Sequence, residues 1–100
     1  MAMKTTAYFL EALGRPDRAG ITHELCVRIV REARYTERQE GDGRWRFYGY
    51  ATEAPVGGGR WIRVVTEPDL VTLHNAIYDR RFSRRLARGD FGEAGQREGR

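Results

Sequence analysis

One cysteine, one lysine and no long apolar run are what this 100-residue chain has least of. The lone Cys26 cannot close an intrachain disulfide or supply a multi-cysteine zinc site. His23 and Cys26 have ligand-like spacing, but a metal needs three or four ligands and His74 lies far along the chain. Neither a metal nor another cofactor is expected. No stretch approaches the roughly 18 apolar residues of a membrane span, so no membrane is expected as partner. Met1-Ala2-Met3-Lys4 leads straight into an amphipathic segment with no small-residue cleavage site, which makes a cytoplasmic location the expectation. Gly57-Gly58-Gly59 lacks the Lys-Ser/Thr of a phosphate-cradling loop and reads as a connector. Glu67 and Asp69 flank a turn and Asp79 precedes two arginines, so no carboxylate pair of the glycosidase or protease kind is apparent.

The positive charge is almost all arginine, and the net charge is +4. Arginine's planar fork grips phosphate at two points and stacks on bases, which lysine does not do. The excess lies toward the end, in Arg80, Arg81, Arg84, Arg85 and Arg88. Such a cluster attracts RNA, DNA or an acidic protein through a salt-screened field.

The periodicity predicts one α+β domain over residues 1–88 and a disordered Gly-rich and basic tail over 89–100. Ala7 to Leu13 reads as a short helix capped by Thr5 or Thr6 and ended by Gly14-Arg15-Pro16. A second helix opens at Thr22, with Leu25, Ile29 and Ala33 in one row and Cys26 and Val30 in the next. In that stripe Cys26 serves as a small buried hydrophobe. From Arg34 the period becomes two. Strands are expected over 35–40, 44–52, 60–67 and 70–78, with Gly41-Asp42-Gly43 closing a hairpin, and Arg84 to Arg88 could add one helical turn. The expected architecture is two N-terminal helices packed on a four-stranded antiparallel sheet.

Alternation divides the sheet into two faces. Trp45 and Phe47, Ile62 and Val64, and Val71, Leu73 and Ile77 form the apolar side, with Asn75 facing the core. Arg46, Tyr48, Tyr50, Arg63, His74 and Tyr78 then gather on the solvent side. Guanidinium groups for phosphate, rings for bases and an imidazole that titrates near neutrality are what single-stranded RNA recognition or acid–base RNA cleavage needs. Asp79 is expected to pair with a nearby arginine and fix the end of the last strand.

The helix opening Ile21-Thr22-His23-Glu24, the hairpin segment Gly43-Arg44-Trp45-Arg46-Phe47, the strand Arg60-Trp61-Ile62-Arg63-Val64-Val65 and the run Asn75-Ala76-Ile77-Tyr78-Asp79-Arg80-Arg81-Phe82 together resemble the small bacterial domains grouped near the BrnT and RelE toxins. The resemblance covers about residues 20 to 82. It implies a compact α+β ribonuclease of a toxin–antitoxin pair, inhibited by a partner encoded beside it. On that reading cleavage is metal-independent. Arg46, Arg63 and Arg80 or Arg81 would position the scissile phosphate, and His74 or Tyr78 would move the proton. Tyr48, Tyr50, Arg80, Arg81, Arg84 and Arg85 would hold RNA. The rival expectation is a non-catalytic module that binds RNA or, through its basic end, an acidic protein; a homodimer joined through the first helix and the aromatic strand face is a third.

Overall fold

Two threonines start the first two helices. Thr6 Oγ1 accepts from the Phe9 N–H at 3.0 Å and Thr22 Oγ1 from the Leu25 N–H at 3.1 Å, each satisfying a donor that the first helical turn leaves open. Helix α1 accordingly runs Ala7–Leu13 and α2 His23–Glu32, with a 3₁₀ turn at Pro16–Arg18 between them. These assignments come from a computed structural model that describes residues 3–53 and 56–91. The strands are β1 Lys4–Thr5, β2 Tyr35–Arg38, β3 Trp45–Ala51, β4 Arg60–Thr66 and β5 Thr72–Tyr78, and a third helix, α3, spans Phe82–Ala87. Among the described residues no helix is long and apolar enough to cross a membrane.

The α+β class holds, while the expected four-stranded antiparallel sheet with two helices is corrected. The sheet has five strands in the order β1-β5-β4-β3-β2. Strands β2 to β5 form the antiparallel meander, and β1 joins β5 in parallel. A two-residue strand carries no readable alternation, and its partner lies almost seventy residues away, so nothing local announces it. Where β1 stops, the 3₁₀ turn takes over the exposed edge of β5. Arg18, 8% exposed, donates from Nε to the Ala76 carbonyl at 2.8 Å, and the Tyr78 hydroxyl donates to the Ala19 carbonyl. That covers a row of backbone groups which would otherwise invite another strand.

Helices α1 and α2 cover one face, here the near face. Phe9, Cys26, Ile29, Phe47, Ile62, Val64, Leu73 and Ala76 form its core, with Trp45 packed beside them. At Gly49 the sheet comes up close beneath Ile29 of α2. A Cβ there would lie 2.7 Å from Ile29 Cγ1 and 3.0 Å from its Cγ2, and a β-branched side chain in a helix has little rotamer freedom to yield. Gly49→Ala should therefore push α2 outward and cost about 1–3 kcal/mol, read as a lower urea midpoint at unchanged slope.

The opposite face departs most from expectation. Read from sequence it is open to solvent; in the structure α3 lies across it and builds a second core from Tyr48, Phe82 and Phe91, with Tyr35, Trp61 and Leu86 alongside. Tyr48 is only 1% exposed, its ring stacked on Phe82 at 4.1 Å and 11°. Phe91 falls in the segment assigned to a disordered tail, yet it is buried against Tyr48 and Phe82. Residues 92–100 of that tail lie outside the described residues. On this aromatic face Tyr48 is covered from within the chain, while Tyr50 stays 56% exposed.

A bulge changes the face assignment of β5. Pairing runs Val64↔Ala76 and Val65↔Asn75 and then jumps to Thr66↔Leu73, leaving His74 as the extra residue. An extra residue resets the two-residue period. Leu73, Ala76 and Tyr78 consequently share the near face, and Asn75 and Ile77 move to the α3 side with Arg63.

Candidate functional site

The strand register brings four of the anticipated side chains together on the α3 face. Arg46 pairs with Glu37 across β2 and β3, Tyr48 pairs with Arg63 across β3 and β4, and Arg85 reaches the cluster from α3. Cross-strand partners lie side by side on one face. At the centre is a residue that sequence reasoning passed over. The Glu37 carboxylate accepts from Arg46 at 2.9 Å, from the Tyr48 hydroxyl at 2.7 Å, and from both terminal nitrogens of Arg85 at 3.0 and 2.8 Å. In a weak four-residue strand it read as one more surface acid. The available clue was its two-residue spacing from Tyr35, which places both on the aromatic face.

Burial acts on Glu37 most strongly as a single influence and favours the neutral acid. The hydrogen bonds from Arg85, Tyr48 and Arg46 together outweigh it and carry the carboxyl down to about 2. Arg85 is pushed upward by its hydrogen bond to Glu37. Burial, followed by the proximity of Glu37, raises the Tyr48 phenol. Glu37, Arg46 and Arg85 retain side-chain exposures of 25%, 30% and 26%, so the charged rim meets solvent while Tyr48 does not.

Arg63 lies behind this cluster with donors to spare. Its ion-pair partner is Asp79, with Oδ2 3.7 Å away, and its buried Nε has no hydrogen-bond partner. Asp79 also accepts from the Arg81 N–H at 3.0 Å, so the expected tie between this aspartate and arginine is present as a loose ion pair.

His74 and Tyr78 belong elsewhere, and the single patch expected of all these groups is corrected. The bulge turns His74 toward α1, where its ring stacks on Tyr8 at 5.0 Å and Nδ1 lies 3.2 Å from Thr6 Oγ1 and 3.7 Å from Glu67 Oε2. Glu67 in turn accepts from Arg44 Nε at 2.8 Å. Tyr78 is held on the near face by Ala19. Neither can share a substrate atom with Arg46 or Arg63. Arg80, Arg81 and Arg84 are exposed. Tyr50 is 56% exposed and its ring meets Trp61 at 5.3 Å, at the far end of β3 from Arg46. Cys26 is fully buried and its thiol is pushed up to about 12 by desolvation, which leaves no thiolate for nucleophilic work at neutral pH.

No known protein family, curated protein or solved structure matches this chain. Its chemistry is accordingly read from its own geometry.

Proposed function

We propose that this protein is a toxin-type endoribonuclease that cleaves RNA without a metal, its reacting groups lying on the α3 face of the sheet and its natural inhibitor encoded beside it. The observation supporting this reading is the convergence of one carboxylate, Glu37, with the guanidinium groups of Arg46 and Arg85 on a rim open to solvent. Cleavage by the adjacent 2′-hydroxyl needs a base for its proton and positive charge for the phosphate. At rest Glu37 is a poor base because its oxygens are taken up by donors. A phosphodiester entering between Arg46 and Arg85 would draw those donors to itself. Relieved of them, the carboxyl would return toward its ordinary range and could accept the 2′-hydroxyl proton. The O2′–phosphorus bond then forms, the phosphorus–O5′ bond breaks, and solvent returns a proton to O5′.

Inducing the chain in a bacterial host and mapping new RNA 5′ ends tests this reading. Growth arrest with discrete new ends is expected, both lost in Glu37→Gln and Arg46→Ala and both kept in His74→Ala. Arrest that persists in both of the first two variants would overturn the assignment. A second reading, a non-catalytic RNA-binding module, is favoured by the complete hydrogen-bonding of Glu37. It predicts salt-sensitive RNA retention with no new ends after hours of incubation.

A further inference from the structure

Among the described residues Arg34, Arg38, Arg60, Arg80, Arg81 and Arg84 form no ion pair, and of these Arg60 and Arg80 share a groove. Arg18, Arg28, Arg44, Arg46, Arg63, Arg85 and Arg88 all have acidic partners. Arg60 and Arg80 have none among the described residues, and both are exposed. They line one groove of about 550 Å³, which also exposes Tyr50, Trp61 and the hydroxyl-bearing Ser83. Arg60 is held over the Tyr78 ring at 4.7 Å, which fixes its stem without consuming its charge. The groove's one carboxylate, Asp79, is 9% exposed and occupied by the Arg81 N–H and Arg63.

A glycine leaves room for the aromatic wall. Gly59 has φ +75°, and a Cβ there would lie 2.5 Å from the Tyr50 hydroxyl oxygen. Gly57 and Gly58 also have positive φ, but a Cβ on either would meet nothing within 4 Å. Of the three glycines, only Gly59 is required by a neighbour as well as by the backbone, and the neighbour is the ring that lines the groove. Tyr50 is nevertheless more than half exposed and contributes little to the core.

We propose that this groove binds one unpaired nucleotide of a single-stranded nucleic acid, its base against Tyr50 and Trp61 and its phosphate between Arg60 and Arg80. A base gains from aromatic faces whatever its identity, and a phosphate gains from two guanidinium groups that no carboxylate neutralises. A duplex cannot offer its bases to these rings. The adjoining hollow of about 470 Å³, which also borders Arg60 and Arg80, continues toward Arg18 and leaves room for the chain to proceed. The proposal deepens the RNA reading above by assigning a subsite at the far end of the sheet, where Tyr50 and Trp61 of the α3 face meet Arg60 and Tyr78. It rests on that reading for the sugar, since base and phosphate alone do not separate RNA from DNA.

The test is fluorescence anisotropy with labelled octamers of uridine and of thymidine and with a duplex of equal length, at low salt, alongside Trp45→Phe protein in which Trp61 is the sole tryptophan. Single strands should quench Trp61, and the duplex should bind at least tenfold more weakly. Tyr50→Ala, and Arg60→Ala with Arg80→Ala, should each weaken single-strand binding by roughly tenfold or more, and His74→Ala, on the α1 side, should leave it unchanged. Preference for the uridine octamer supports an RNA ligand; preference for the thymidine octamer keeps the groove and overturns RNA. If octamers bind and these groove variants bind as tightly as the parent, the groove assignment is wrong while the RNA reading stands. If no octamer binds, both fail.

Discussion

Phe82→Ala should lower the unfolding free energy by about 3–5 kcal/mol, the usual range for truncating a fully buried aromatic ring. Phe82 is 0% exposed and touches four rings: Tyr48 at 4.1 Å, Trp61 at 4.5 Å, Phe91 at 5.0 Å and Tyr35 at 5.7 Å. Each ring pair contributes about 0.5–1.5 kcal/mol beyond the area it buries. Six residues are too few for a helix to persist by its own hydrogen bonds, so α3 stays on the sheet through Phe82, Leu86 and the Arg85–Glu37 pair. Without the ring, α3 should open before the sheet does. In Trp45→Phe protein, Trp61 emission should red-shift at a lower urea concentration than the loss of far-ultraviolet circular dichroism. A destabilisation under about 1 kcal/mol, or coincident transitions, would show that α3 is held by something else.

The second large effect concerns Glu37. Replacing it with alanine leaves Arg46, Arg85 and Tyr48 without their shared acceptor. Losing one member of a fully buried ionic network costs about 3–5 kcal/mol; with a quarter of this cluster in water, roughly 2 kcal/mol is expected. The pH dependence has a definite sign. The folded carboxyl lies near 2, below its ordinary value of about 4.5, so the unfolded chain binds the proton first as pH falls. The stabilisation is present in full above about pH 4.5 and is lost progressively as pH drops toward 2. Its size, discounted for solvent screening, is about 1–2 kcal/mol. Glu37→Gln should flatten the stability profile over that interval and leave its slope above pH 5 unchanged. A parent profile already flat between pH 4.5 and 2 would contradict the network's strength.

The two effects are connected. Phe82 and Arg85 lie one turn apart on α3, so the packing that seals Tyr48 also positions the guanidinium that holds Glu37 ionised. Loosening α3 should therefore raise the Glu37 carboxyl as well as expose the face.

Local signals in the sequence determined the two N-terminal helices, the four-stranded meander and the helix-covered core. Thr6 and Thr22 cap where they stand because a hydroxyl three residues before an open N–H reaches it whatever surrounds the helix. The stripe of Cys26, Ile29 and Val30 was legible for a similar reason, since a helical period persists over ten residues. Asp79 was also readable as an arginine's partner from the two arginines that follow it, although the guanidinium it pairs with is that of Arg63 on the neighbouring strand. The tertiary structure alone decided the rest. A single bulge at His74 exchanged the faces of Tyr78 and Asn75, because a two-residue period reverses with one inserted residue. Helix α3 and Phe91 closed the face that alternation left open, since the apolar partners of Tyr48 lie more than thirty residues downstream in an arginine-rich segment whose composition suggests solvent. Glu37 became the centre of a charge cluster only once β2 paired with β3 and α3 folded across both, for its donors come from two other elements, β3 and α3, and no spacing along the chain relates them to it.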